Sequence, residues 1–331
     1  MQQNQNILVF GELLIRLSSK TNDLLDPTEG VTLYPGGSEA NVAASLAHFR
    51  KQVSYVTVAP NNALAETTLK HLSDIFVDTC KVINQGDRLG LYFLLSANGL
   101  SNGEVVYDRK YSSFSFLKPG MIKWDDLLTG HTWFHWSALT PALNGDLALV
   151  MLEALEAASR KGMKISVDLN YRSKLWDYGK QPIEVMPALV QYCHVIMGNI
   201  WAADKMLGAG VDPMLDRETP SSVYYQQATT SAQNIFKNYP NCQHVANTFR
   251  FMDNPKHNLF YGTYHTKSAN YISKIRETNE VVDRIGSGDA FMAGLILAIA
   301  DNEDGQSVVD KATAAGFQKL FTKGDFGNGS L

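Results

Sequence analysis

Val281-Val282-Asp283-Arg284-Ile285-Gly286-Ser287-Gly288-Asp289-Ala290-Phe291 joins a β-branched start to a glycine-rich turn and then to an apolar segment, Ala290 to Ala300. The pattern predicts a strand end, a tight turn and a buried helix. Such a turn aims several backbone N–H groups at one spot, and the helix dipole adds partial positive charge there. Gly286, Ser287 and Gly288 therefore form a candidate anion hole, the kind of cradle that suits a phosphoryl group in transfer. Asp289 falls in the first helical turn beside it, where its carboxylate could take the proton of an attacking hydroxyl. The plainer alternative is an ordinary βα turn whose acidic residue is favoured by the helix dipole. The chain has no GxxxxGK[ST] run, so this is not a P-loop.

Upstream, strands and helices alternate. Ile7 to Phe10 reads as a buried strand ended by Gly11, and Pro35-Gly36-Gly37 as a turn before a helix from Ser38 to Arg50, with Ser38 as its cap. Val53 to Val58 and Thr132 to Trp136 read as strands, and Asp146 to Lys161 as an amphipathic helix ended by Gly162. Strands at Lys164 to Leu169 and His194 to Met197 follow, then a short helix over Ala202 to Leu207. Residues 208 to 232 predict a surface loop leading into a helix that ends at Phe236. This alternation predicts an α/β fold, a mostly parallel sheet with helices on both faces.

Residues 88 to 116 break the rhythm. Leu91 to Ser96 and Val105 to Lys110 read as two strands without a helix between them, with Asn98-Gly99 and Asn102-Gly103 as turn signals. With Thr32 to Tyr34 this hairpin would form a small sheet, a lid over the mouth of the main one. The expected organisation is a single domain over residues 1–331, with lid strands from about residues 12–35 and 88–116.

The 331 residues carry 29 Lys and Arg against 33 Asp and Glu, a net charge of −4. That balance gives no electrostatic grip on nucleic acid and no basic cluster for a membrane surface. Hydrophobic residues at 45% and charged ones at 19% fit a folded chain rather than a disordered one. Cys80, Cys193 and Cys242 are far apart and lack a CxxC, which argues against a disulfide framework or a structural zinc. The first six residues lack the order of a signal peptide, and Ala290 to Ala300 is too short to span a bilayer. The expectation is a cytoplasmic protein.

Asp283 to Gly294 resembles the C-terminal signature of the ribokinase-like (pfkB) carbohydrate kinases, which is close to D-T-x-G-A-G-D-A-F-x-A-G. Gly36-Gly37-Ser38-Glu39-Ala40-Asn41-Val42-Ala43 resembles the N-terminal one, a Gly-Gly pair with a downstream Asn. The resemblance runs from Gly11 to Asn328. It implies a Rossmann-like domain with a β-lid, ATP as donor with Mg²⁺, Asp289 as base and Gly286 to Gly288 as the anion hole. It also implies that Gly36, Gly37 and Asn41 shape the sugar site, and that the lid joins two copies in a homo-oligomer. No residue is assigned to a metal.

Three further segments resemble the branch of that family acting on 2-keto-3-deoxygluconate. In Asp168-Leu169-Asn170-Tyr171-Arg172, alternation points Asp168, Asn170 and Arg172 the same way, so Arg172 could hold a carboxylate that a neutral sugar lacks. Its other readings are a phosphate contact or a structural partner. Tyr107 and Arg109, two apart on a lid strand, resemble a Tyr-x-Arg pair that touches substrate, with Tyr92 as a further lid tyrosine; otherwise they belong to a solvated edge strand. Lys323-Gly324-Asp325-Phe326 resembles an ending whose Asp, here Asp325, reaches the substrate. Toward the nucleotide the resemblance implies Asn170, Asn199, Thr248, Arg250 and Arg284, with Val308 to Phe321 as the helix flanking adenine.

Two departures stand out. The glutamate that many relatives carry three residues after the asparagine is missing, since Asn199 is followed by Ile200-Trp201-Ala202, and Arg284-Ile285 replaces the usual threonines. The expected function is ATP-dependent phosphorylation of a sugar acid, 2-keto-3-deoxy-D-gluconate to its 6-phosphate. A kinase of a neutral sugar such as fructose and a non-catalytic sugar or nucleotide sensor are the rival readings.

Overall fold

Asn6–Phe10 lies between Gln52–Val56 and Trp133–Ser137, all three parallel. The computed structural model, which describes residues 5–19, 30–95 and 104–331, continues this sheet in parallel through Lys164–Asp168, Val195–Met197 and His244–Phe251. The direction then reverses. Asn258–Thr266 runs antiparallel to His244–Phe251 and takes two short antiparallel strands, Asn270–Ile272 and Arg276–Thr278, along its other side.

Both faces of the sheet are covered, and the first strand shows how. Leu8 and Phe10 pack with the helices Gly145–Arg160, Pro182–Val190 and Ile200–Leu207. Ile7 and Val9 pack with Ser38–His48, Ser287–Ala300 and Gly305–Gln318. All four side chains are fully buried, as a strand with two covered faces requires. Ser287–Ala300 is apolar all round because other helices flank it as well. At Gly294 an added Cβ would stand 2.9 Å from the Cα of Ala312, so the close approach of the last helix needs glycine there. No helix of the described residues is long and apolar enough to cross a membrane.

A separate four-stranded sheet runs in the order Val31–Gly36, Leu14–Ser19, Gly90–Leu95, Glu104–Asp108. The pairing puts Tyr34, Arg16, Tyr92 and Tyr107 in one row across it, and Leu33, Leu17, Phe93 and Val106 in the next. Neighbouring rows face opposite ways. The first row is turned toward the main domain, while Leu33 and Val106 are exposed.

Several expectations are corrected. The central helix begins at Ser287 rather than Ala290, because Gly286 serves as its N-cap with φ 82. Ser38 does not cap the helix Ser38–His48; Gly37 precedes it without a side-chain cap, and the Ser38 hydroxyl is used elsewhere. Residues 221–238 are helical throughout the Gln/Thr/Ser run, since Tyr224, Ala228, Ala232 and Ile235 recur at helical spacing and are buried. His244–Phe251 is a strand paired along its length with Asn258–Thr266, which the alternating strand-helix reading did not include. The turn signals Asn98-Gly99 and Asn102-Gly103 lie outside the described residues.

Candidate active site

Asp289 stands in the first turn of the helix Ser287–Ala300 and is 8% exposed. Ser38 Oγ donates to its Oδ1 at 2.6 Å and Asn41 Nδ2 donates to its Oδ2 at 2.7 Å. The two motifs from opposite ends of the chain thus meet on one carboxylate. Asn170 Nδ2 donates to Ser38 Oγ at 2.9 Å, which brings the Asp168-to-Arg172 segment into the same network. Burial pushes the Asp289 carboxyl above its ordinary value, and the two donors pull the other way. Asp168, buried nearby and sharing its surroundings with the Asp289 charge, is pushed up to about 7.

In front of Asp289 is a cleft of about 360 Å³. Gly286, Ser287 and Gly288 line it, and a Cβ built on Gly288 would meet nothing within 4 Å, so that face of the turn is open to a ligand. Gly286 has no such room. Its φ of +82 belongs to the left-handed region, and a Cβ there would run into the Asp325 carbonyl.

The expected substrate residues Gly37, Asn41, Tyr92, Tyr107, Arg109, Arg172 and Asp325 all line the cleft. Gly36 does not. It lies behind the wall, where a Cβ would strike the Asp325 carboxylate, so its contribution is space for that side chain. Arg109 is 4% exposed, and its Nε donates to Glu12 Oε2 at 2.6 Å. Its charge is therefore shared with a buried carboxylate. Arg172 is exposed at the rim, its Nη1 bonded to the carbonyl of Tyr171. Tyr92 donates its hydroxyl to Asp325.

The residues expected at the nucleotide, Asn170, Asn199, Thr248, Arg250 and Arg284, also line the cleft. Asn199 caps the helix Ile200–Leu207, its Oδ1 accepting from Ala202 N at 2.7 Å. Arg250 Nη1 donates to Ser287 Oγ at 3.0 Å, tying the end of its strand to the glycine turn. Arg284 Nη2 donates to the carbonyls of Asn254 and His257 at 3.2 and 2.8 Å. Asp204 does not stand in for the missing glutamate: its Oδ1 accepts from Gly210 N, away from the cleft.

Sequence reasoning missed the charges that hold the site together. Arg16 grips Asp283 with both Nη atoms, at 3.2 and 2.6 Å, and its Nε lies 3.1 Å from Asp325 Oδ1. The Tyr34 ring packs over this guanidinium at 4.3 Å. Asp325 is pushed up to about 7 by burial, with Arg16 opposing. Glu39, pushed up to about 7 by burial, accepts from Ser137 Oγ at 2.6 Å, and Gly11 leaves room for it. Lys319 is buried behind the Gly286 turn. Among the described residues no three His, Cys, Asp or Glu side chains cluster as a metal cage.

A crystal structure of 2-dehydro-3-deoxygluconokinase from Thermotoga maritima superposes with a TM-score of 0.89 at 32% identity, over 99% of this chain and 96% of that one. A Haloferax volcanii 2-dehydro-3-deoxygalactonokinase is 26% identical over 170 residues, 51% of this chain and only 53% of its own length. Bacillus subtilis 2-dehydro-3-deoxygluconokinase is 24% identical over 87% of this chain and 81% of its own. A probable fructokinase-2 from Arabidopsis thaliana is 22% identical over 93% and 85%. The model of the pfkB family carbohydrate kinases matches residues 4–239 and 260–326, so it takes in both motifs that converge on Asp289. The fold, the meeting of those motifs and this match together establish that the chain belongs to the pfkB family of carbohydrate kinases.

Proposed function

We propose that this kinase transfers the γ-phosphate of ATP to the terminal hydroxyl of 2-keto-3-deoxy-D-gluconate, giving the 6-phosphate. The observation that carries the reading is the placement of Asp289. It is a buried, doubly held carboxylate beside an open glycine turn, in a cleft that also holds Arg109, Arg172 and Tyr107. Asp289 takes the proton of the attacking hydroxyl, and the Gly286 to Gly288 turn holds the transferring group. Arg172 and the free side of Arg109 orient the substrate carboxylate, a charge-assisted contact that a neutral sugar cannot make. Asn41, Tyr92 and Asp325 face the sugar, while Thr248, Arg250 and Arg284 face the nucleotide. The Mg²⁺ typical of the family would arrive with the nucleotide phosphates. When bound, that ion supplies neutralisation of phosphate charge.

The small sheet acts as a lid within a single domain, its Tyr34, Arg16, Tyr92 and Tyr107 row closing over the substrate. One observation favours the second reading, a neutral sugar: the Glu12 partner offsets part of the Arg109 charge. ATP consumption on 2-keto-3-deoxygluconate, gluconate, fructose and ribose separates the two. Turnover on the keto acid is expected, and Arg172→Ala should raise its KM by about tenfold or more with little change in kcat, the loss of one charge-assisted contact. Turnover on fructose alone sinks the sugar-acid reading.

The outer row of the lid predicts a dimer. Leu33 is 56% exposed and Val106 43%, an apolar strip that a second copy would cover. Light scattering should give twice the chain mass, and Leu33→Asp should return it to one; a wild type already monomeric at micromolar concentration refutes the lid interface.

A further inference from the structure

Lys319 plays no part in the scheme above, yet it is 1% exposed. Lysine is seldom taken so far from water unless its charge is used. It opens the short 3-10 turn Lys319–Phe321 that follows the last helix. The next residue, Leu320, accepts from Val282 N at 2.8 Å and Asp283 N at 3.1 Å, so this turn is fastened to the segment entering Gly286. Lys319 Nζ donates to the carbonyl of Thr322 at 2.9 Å. Its Cε lies 3.4 Å from where a Cβ on Gly286 would stand. Burial pulls the Lys319 ammonium below its ordinary pKa, the carboxylates of Asp283, Asp325 and Asp289 favour its charged form, and the Arg16 charge opposes them. Arg16 is the ion-pair partner of both Asp283 and Asp325, one cation against two carboxylates, and Lys319 adds a second positive charge to the group. That charge lies beneath the glycine turn.

We propose that the Lys319 ammonium is a fixed counter-charge behind the Gly286-Ser287-Gly288 turn, fastening that turn and lending positive potential to the phosphate held in front of it. The inference rests on the phosphotransfer reading above. Lys319 is a positioning residue, because the turn stands between it and the substrate. A charge set in advance, in a place with little water, needs no reorganisation as negative charge builds on the transferring group.

The test begins with Lys319→Met, which keeps the apolar stem and removes the charge. Its kcat should fall by about 100-fold with the sugar KM changed less than about threefold, while circular dichroism and the melting profile remain those of a folded chain. By calorimetry the variant should bind ATP about tenfold or more weakly and adenosine as tightly as the wild type, since only the phosphates sense the charge. Lys319→Ala should regain activity with propylammonium and not with propan-1-ol, which fills the same space without charge. Wild-type kcat and ATP affinity in Lys319→Met overturn the proposal. So does equal weakening of ATP and adenosine, or equal rescue by amine and alcohol. Should Lys319→Met fail to fold, the amine and alcohol arms on Lys319→Ala decide alone. A wild type inert toward every sugar refutes the kinase substrate reading, and the ATP and adenosine pair still decides on Lys319.

Discussion

Asp289→Asn should cost about 10³-fold in kcat and leave the protein folded, a loss within the range for removing a general base. The amide can satisfy the existing network: its oxygen accepts from Asn41 Nδ2 and its nitrogen donates to Ser38 Oγ. The variant should be at least as stable as the wild type at neutral pH. The raised pKa of Asp289 means that the folded state holds its proton more tightly than the unfolded chain does. Stability from that group is therefore lost as pH rises from the ordinary carboxylate range through the raised value, and a neutral amide escapes the loss. The same shift places the acidic limb of the kcat/KM profile above the ordinary carboxylate range. Ser38→Ala removes a hydrogen bond to the charged form, so it should move that limb further up. Rate profiles from pH 4 to 9 for both proteins check it. An unmoved limb in Ser38→Ala, or turnover by Asp289→Asn near the wild-type rate, would remove Asp289 from the role of base.

The parts of this site that could be read in advance are those encoded by local runs. The glycine turn with its acidic residue and the Gly-Gly helix entry are contiguous, and alternation along Asp168 to Arg172 set its three polar side chains on one side. The structure places all of these at the cleft except Gly36. What escaped was pairing between distant charges. Arg16 sits inside Leu14-Ile15-Arg16-Leu17, an ordinary strand pattern, and nothing near it in sequence announces a carboxylate 267 positions away. Lys319 ends a helix where a lysine is normally a solvated, dipole-favoured residue. The helix over residues 221–238 was legible in principle, because its buried positions keep helical spacing, but the polar composition of the run masked it. The long strand Asn258–Thr266 was hidden for another reason: its antiparallel partner breaks the βαβ rhythm that the rest of the chain establishes.

Arg16→Met should be the most destabilising single change in the site. The Arg16 and Asp325 side chains are each 1% exposed, and Asp283 is 15% exposed. Removing one partner from a buried charge cluster costs about 3–5 kcal/mol, because the carboxylates left behind have lost their counter-ion. The deficit should depend on pH in a defined direction. Burial pushes Asp325 up to about 7, with Arg16 holding it down. Without Arg16 its folded pKa rises further, so the folded variant keeps a proton that the unfolded chain has lost. Its stability relative to wild type then falls as pH rises above neutrality. Urea midpoints at pH 6 and pH 8 test this: the gap between the two proteins should widen at the higher pH. A gap that closes there would show that the Asp325 carboxylate does not depend on Arg16.

The ion pairs of Arg16 also impose an order on the making of the site. The helices and the hairpin can form from neighbours in the chain, but the Gly286 turn is backed by the Asp325 carbonyl and the Leu320 and Lys319 turn, which dock against a strand from the opposite end. Contacts across such separations form slowly, after their closure entropy is met. Recovery of phosphotransfer during refolding should therefore trail recovery of the sheet, so that a partly assembled kinase has its fold before it has the means to spend ATP.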